Sequence, residues 1–232
     1  MDKSIFNSKI NLLQDNIFEV AGLPQGNYDG QALQYDKLIS SVVYSRLMWG
    51  NSPEDYTAFC RKGVESHQEG VIADIGCGTL SFSAEVYAKS RLKNLYLCDL
   101  SYEMLSLGKK RLKAASEVGA DVTFLRSDAL AMPFIDESVQ TLFCFGFLHL
   151  FNDPAALVKE LRRLLKTGGR LYLTSLCTDR KFSARYMKLL HKKGHVSTPK
   201  HSSEVISIIS ENGFSKIESH VKGGMVYITA SK

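Results

Sequence analysis

Val71-Ile72-Ala73-Asp74-Ile75-Gly76-Cys77-Gly78-Thr79 is the stretch whose reading decides the fold. An apolar run of this length ending in glycine reads as a buried strand. The glycines remove side chains, so a ligand can lie against the backbone and against the amides that open the next helix, in LSFSAEVYAKS. Taken alone, the pattern fits a tight strand-to-helix turn equally well.

Downstream, NLYLCD (94–99), VTFLRSD (122–128), VQTLFCFG (139–146) and GRLYLTSLC (169–177) read as further strands, separated by amphipathic stretches. This alternation predicts an α/β domain with a parallel sheet covered by helices. One covering helix starts with Asp153 as N-cap and Pro154 at its first position. It places Leu157, Leu161, Leu164 and Leu165 on one face, and Gly168-Gly169 is expected to stop it. HSSEVISIISENGF reads as a last helix ending at Asn212-Gly213. SKIESHV and MVYITASK, around Gly223-Gly224, then form an antiparallel hairpin.

The first 65 residues show no comparable strands and read as a helical cap. Apolar residues at 35, 38, 39, 42, 43 and 47 form a helical stripe, and GLPQGNYDG before it reads as loop. The expected organisation is a cap over 1–65 and a catalytic domain over 66–232, with a basic lid at 180–200.

Composition narrows the class. Hydrophobic residues make up 44% and charged residues 23% of the 232, an ordinary globular balance. No apolar run spans a bilayer, and the N-terminus lacks the apolar core of a secretory signal. Five cysteines never fall in a CxxC pair, and Cys98, Cys144 and Cys177 sit in strand-like runs. Reduced thiols of this kind suit the cytoplasm, and their spacing argues against a zinc site. The net charge of +5 is local: residues 159–200 hold twelve Lys or Arg against two acids, so the remainder is mildly acidic.

Carboxylates recur at the strand ends. Asp99 closes the second strand 21 residues after Gly78, where a carboxylate can accept both hydroxyls of a ribose. Asp128 closes the third, where it could accept from an adenine amino group, with Leu100, Met104 and Leu130 around the ring. Each also suits an N-cap or turn. Their succession at the carboxyl ends of a parallel sheet is where such folds bind ligands.

DIGCGT, LCDLSYEML, SDALAMPFIDES, FGFLHLFND and ELRRLLKTGGRLYL together resemble the class I S-adenosylmethionine-dependent methyltransferases. They are nearest to the small-molecule branch that includes the ubiquinone and menaquinone C-methyltransferases. The likeness covers about residues 70–175 and the hairpin in outline. It implies a Rossmann-like, seven-stranded, mostly parallel sheet with S-adenosylmethionine as methyl donor and S-adenosylhomocysteine as product. By the same resemblance Asp74, Gly76 and Gly78 would contact the methionine portion, Asp99 the ribose, and Asp128 with Ala129 the adenine. Phe145 and Gly146 would line the sulfur. Leu80 stands where the family has a third glycine. The GxGxxG of nicotinamide enzymes is absent, because its last position falls on Ser81.

A sulfonium methyl group is already activated, so the protein must chiefly align the acceptor and exclude water. His149 is the candidate base, with a packing role beside Phe147 and Phe151 as the alternative. Tyr28, Tyr35, Arg46, Trp49 and Tyr186 are candidates to line the acceptor pocket. On RKFSARYMKLLHKKG (180–194), Phe182, Tyr186, Leu189 and Leu190 form one helical face among dense positive charge. Such a helix covers a site, binds an acidic substrate or rests transiently on an anionic membrane. The motifs of exocyclic-amine and cytosine-C5 methyltransferases are missing, and no DNA partner is expected. The expected protein is a cytoplasmic methyltransferase, monomeric or homodimeric, acting on a small-molecule or lipid-like acceptor. An RNA methyltransferase and a non-catalytic cofactor-binding partner subunit are the rivals.

Overall fold

A computed structural model describes residues 4–23, 30–115 and 121–232. The elements in chain order are β1 (Ile10–Leu12), β2 (Ile17–Val20), α1 (Ala32–Ile39), α2 (Val42–Tyr44), α3 (Pro53–Ser66), β3 (Val71–Ile75), α4 (Ala84–Lys89), β4 (Leu95–Asp99) and α5 (Tyr102–Ala115). There follow β5 (Val122–Arg126), β6 (Val139–Cys144), α6 (Pro154–Leu164), β7 (Leu165–Leu176), α7 (Lys181–Lys192), α8 (Ser202–Glu211), β8 (Ser215–Lys222) and β9 (Met225–Ser231).

One sheet runs β1-β2-β5-β4-β3-β6-β7-β9-β8. The inner pairs from β2 to β7 are parallel, and both edges are closed by antiparallel hairpins. The predicted parallel sheet and C-terminal hairpin are therefore present. The N-terminal prediction needs correction, because residues 10–20 are a second hairpin rather than part of a helical cap. These strands have three and four residues and gain their register only by pairing Ile17 and Phe18 with Phe124 and Leu125, more than a hundred residues away.

Alternation along each strand sorts the core into two layers. Ala73, Ile75, Tyr96, Cys98, Leu142 and Cys144 face α6 and α8, which contribute Leu157, Leu161 and Ile209. Ile72, Leu95, Leu97 and Phe143 face α3, α4 and α5 with Phe59, Tyr87 and Leu105. Asp74 shares parity with Ile72, so its carboxylate enters the second layer, where the Tyr87 hydroxyl donates to it at 2.9 Å. All five cysteines are free, and Cys77 alone is not fully buried.

Asp153 caps α6 through the Ala156 N–H, with Pro154 at the first turn, as the sequence predicts. The helix nevertheless stops at Leu164, before the two glycines. They lie inside β7, where the register with β6 jumps from Val139↔Leu165 to Thr141↔Arg170. The stripe over 35–47 is also not one helix. It breaks at Ser40-Ser41, continues as α2 and ends in a single π-helical turn, Ser45–Trp49. Leu38, Val42, Val43 and Leu47 are exposed, so the stripe does not pack on the core.

Candidate active site

The carboxyl ends of β3 to β7 open into a cavity of about 1170 Å³, closed from above by α1, α2, the π-turn and α7. Its floor is the loop after β3. Gly76 and Cys77 N–H both donate to the Cys98 carbonyl, at 2.8 and 3.0 Å, which ties the loop to β4. Gly76, Gly78 and Leu80 all have left-handed backbones, with φ of 72°, 54° and 57°. Leu80 thus takes the conformation that a third glycine would supply, at a strain of roughly 1–2 kcal/mol. Its side chain is buried against Gly108 of α5, where a Cβ would lie 3.1 Å from the Leu80 Cγ. Burying a leucine contributes roughly 1.5–3 kcal/mol, enough to offset the strain, so the loop keeps its path without the glycine.

Asp99 shapes the same loop: its carboxylate accepts from Gly78 N–H and Ser101 N–H, both at 2.9 Å. These bonds fix the direction of the carboxylate in the cavity wall. Asp128 accepts from Leu130 N–H at 2.9 Å in a turn after β5. The turn aims Leu130 outward, half exposed and off the cavity wall, which corrects its expected place beside Met104. Met132, two residues on, lines the wall with Leu100, Met104 and Ala129. Phe145 and Gly146 also line the cavity, with Gly146 N–H held by the Thr174 hydroxyl at 2.8 Å.

Asp74 is buried, and its Oδ1 has no partner among the described residues, while Oδ2 takes the Tyr87 hydroxyl. Burial pushes its pKa up to about 7, against the lowering by Tyr87 and with a further rise from Asp99. The Asp74 Oδ1 is thus buried and unpartnered among the described residues, in a residue that lines the cavity floor, a setting in which a carboxylate favours a cationic partner.

Of the expected acceptor-side residues, Tyr35, Trp49 and Tyr186 line the cavity. Arg46 points to solvent outside it, because the π-turn carries it to the outer surface. Tyr28 lies outside the described residues. The single face expected on α7 is divided: Tyr186 and Leu190 look inward, whereas Phe182 is exposed and Leu189 sits half exposed at the rim. Tyr44, which the sequence also suggests for this pocket, lines it with its hydroxyl 3.2 Å from that of Tyr186, whereas sequence reading missed Tyr56, stacked on Phe82 at 4.6 Å. It also missed the latch between cap and loop. Asp36 on α1 accepts from Thr79 and Ser81 and pairs with Arg111 of α5 at 2.7 Å. Burial alone would raise its pKa, but the bonds from Arg111, Thr79 and Ser81 outweigh it and hold the carboxyl below the usual range.

Asp36→Asn is expected to lower stability by about 1–2 kcal/mol, the scale of losing charge-assisted bonds in a half-buried pair. Proteolysis within 30–50 should become faster. Unchanged cleavage there would show that the latch does not hold the cap.

Residues 73–173 match the family described as a methyltransferase domain. Over this stretch the chain is similar to the class I S-adenosylmethionine-dependent methyltransferases. It is 30% identical over 155 residues to the ubiquinone/menaquinone biosynthesis C-methyltransferase of Paracoccus denitrificans, covering 65% of this chain and 58% of that one. It is 33% identical over 111 residues to the demethylmenaquinone methyltransferase of Thermobifida fusca, covering 47% and 45%. The matches thus span about half the length of these relatives. Among solved structures, a phosphoethanolamine N-methyltransferase of Haemonchus contortus with bound S-adenosylhomocysteine superposes with TM-score 0.66 at 16% identity, covering 88% of this chain and 58% of that one. The [4+2]-cyclase SpnF superposes at 0.63 and 15%, covering 91% and 99%, so this methyltransferase fold does not by itself name a reaction.

The cavity suits the family's cofactor. It offers a backbone floor open at Gly78, a cation partner in Asp74, and two further carboxylates at successive strand ends.

Proposed function

We propose that this methyltransferase transfers a methyl group from S-adenosylmethionine to a small, apolar, lipid-like acceptor with a ring that fits between aromatic side chains. The observation behind this reading is the continuous cavity running from the glycine loop to the enclosure of Tyr35, Tyr44, Trp49, Tyr186, Phe147 and Phe151. Its volume exceeds the ~300–1,000 Å³ of ordinary single-ligand pockets, which leaves room for a second molecule beside the cofactor. The roofed, aromatic interior favours a small ring over an RNA strand. The names of the two relatives above point the same way, to quinone-type acceptors.

The bound cofactor supplies an activated methyl on a cationic sulfur. Asp74 would hold its ammonium, Asp99 the ribose hydroxyls and Asp128 the adenine amine. The aromatic walls exclude water from the transfer path.

His149 serves this chemistry as a donor rather than as a base. Its carbonyl is held by Ser197 N–H and hydroxyl at 3.0 and 2.9 Å, and its Nδ1 faces the Leu176 N–H at 3.4 Å. An Nδ1 that accepts leaves the proton on Nε2. Burial lowers the pKa to about 4, so the ring is neutral at pH 7 and a weak base. An acceptor oxygen, carbonyl or phenolic, is the group an Nε2–H would orient.

Calorimetric titration with S-adenosylmethionine, S-adenosylhomocysteine and NAD tests the cofactor, and labelled methyl transfer to quinone precursors tests the acceptor. Binding of both sulfur compounds without NAD, followed by transfer, is expected. Transfer only to RNA would overturn the acceptor reading. His149→Ala should lower kcat/KM about 5- to 30-fold, the effect of one hydrogen bond of roughly 1–2 kcal/mol, with cofactor affinity unchanged. His149→Gln, which keeps a donor, should recover most of it. A base would instead leave Gln as inactive as Ala.

A further inference from the structure

We infer that the rim of this cavity is a docking surface for an anionic lipid bilayer, built jointly by the cap and α7. This rests on the lipid-like acceptor reading above and extends it to the place from which that acceptor enters.

Two elements form the surface. The π-turn Ser45–Trp49 and α7 pack side by side: the Ser183 hydroxyl donates to the Met48 carbonyl at 2.8 Å, Arg180 donates to the Leu47 carbonyl at 3.1 Å, and the Trp49 and Tyr186 rings meet at 5.3 Å. These elements, with α1 and α2 leading into the π-turn, leave large apolar side chains in solvent. Leu33, Val43 and Leu47 on the cap are more than half exposed, and Phe182 on α7 is nearly half exposed. Leu38 and Leu189, one from each side, are half exposed and also line the cavity. The apolar interior and the apolar exterior therefore join at the rim.

The charge around Leu38, Val43, Leu47, Phe182 and Leu189 has one sign: residues 37–52 and 180–200 contain nine Lys or Arg and no Asp or Glu, and Asp36, near Leu33, is paired with Arg111. Apolar side chains set among charges of both signs would favour no particular neighbour. Set among cations alone, they match the two layers of an anionic bilayer, acyl chains below and phosphates at the level of the Lys and Arg head groups. A nucleic-acid surface would share the cations, but phosphate contacts make no use of exposed Val43, Leu47 and Phe182. α7 spans twelve residues and already buries Met187 and Ser183 beneath it, so it lies flat on the domain with its other face outward. Among the described residues no helix is long and apolar enough to cross a membrane, which makes this surface contact rather than insertion.

Cosedimentation of the full chain with vesicles tests the surface without any need for turnover, so its failure and failure of the acceptor reading are separate results. The protein is expected to pellet with phosphatidylcholine vesicles containing phosphatidylglycerol and to stay in solution with phosphatidylcholine alone. High salt should weaken the binding by about tenfold or more, because exposed charges are screened. The lipid and salt arms need no variant and stand even where a substituted chain does not fold. Lys188→Gln with Lys192→Gln should lower partitioning by about thirtyfold, the effect of removing two surface cations. Val43→Ser with Phe182→Ser should lower it by about tenfold. None of these four side chains lines the cavity, so cofactor titration should be unchanged. Failure to pellet with the anionic vesicles overturns the inference, as does equal binding to neutral ones. Retention of an RNA oligonucleotide without vesicle binding overturns it in favour of a nucleic-acid surface.

Discussion

Asp74→Asn is expected to make the cofactor-free protein more stable at pH 8 and at the same time to weaken S-adenosylmethionine binding by about 1.5–3 kcal/mol. The two effects have one origin. The Asp74 carboxyl is buried beside Tyr87, its Oδ1 has no partner among the described residues, and its pKa is pushed from 3.8 up to about 7. A carboxyl whose folded pKa exceeds its unfolded value binds protons more tightly in the folded state. Its contribution is most favourable below about 3.8 and is lost progressively as pH rises to about 7. Over that window the loss amounts to roughly 4 kcal/mol at most. Asn cannot ionise, so the variant should match the parent near pH 4 and exceed it at pH 8 by up to that ~4 kcal/mol, read by urea denaturation.

Binding has the opposite sign. The ionised carboxylate is the form that receives an ammonium, so affinity should fall about tenfold for each pH unit below 7 and be flat above. In the Asn variant it should be weaker at pH 8 and lack this slope, since a charge-assisted bond has become a neutral one. Calorimetry at pH 5.5 and 8 in buffers of different ionisation heat checks both the slope and the accompanying proton release. An affinity independent of pH in the parent protein would remove Asp74 from the ammonium site.

Gly223→Ala should be the most destabilising glycine-to-alanine change among the described residues. Gly223 lies in the turn between β8 and β9 with φ of 64°, and a Cβ there would stand 2.0 Å from the Trp49 carbonyl oxygen. It would also stand 2.8 and 2.9 Å from the Gly50 backbone. Backbone cannot rotate aside as a side chain can. The neighbouring Gly224 N–H donates to the same carbonyl at 2.7 Å, so relief of the overlap breaks that bond as well. Left-handed strain, overlap and the lost bond together should cost about 3 kcal/mol or more. Because Trp49 and Gly50 end the cap, the variant should also lose the cavity roof, with weaker acceptor binding even where the fold survives. Denaturation midpoints within about 0.5 kcal/mol of the parent would show that the turn is not clamped against the cap.

Much of this was legible in the sequence because it depends on residues near one another along the chain. A run such as Val71–Ile75 specifies a buried strand through its own apolar side chains, and Asp153-Pro154 specifies a helix start through its own backbone chemistry. Gly76, Gly78, Asp99 and Asp128 are assigned to strand ends by local pattern alone, because each apolar run stops where those residues begin. The N-terminal hairpin could not be found this way. Three- and four-residue strands carry too little pattern of their own, and their partner is β5. Leu130 failed for a different reason: a local turn, closed by its N–H bond to Asp128 two residues before, directs it away from the wall that its apolar character suggested.

The sequence by itself determined the parallel sheet, its terminal hairpin and the series of glycines and carboxylates along its upper edge, since each follows from local periodicity and turn chemistry. Only the tertiary structure decided that Asp74 is buried with one oxygen unpartnered among the described residues, that the His149 Nδ1 faces a backbone N–H, that Leu80 can stand for a glycine, and that the cap's apolar stripe faces solvent at the cavity rim. Each of these depends on burial and on partners brought from elsewhere in the chain: Tyr87, Leu176, Gly108 and α7. Desolvation and close contact are properties of the assembled core, and no window of sequence contains them.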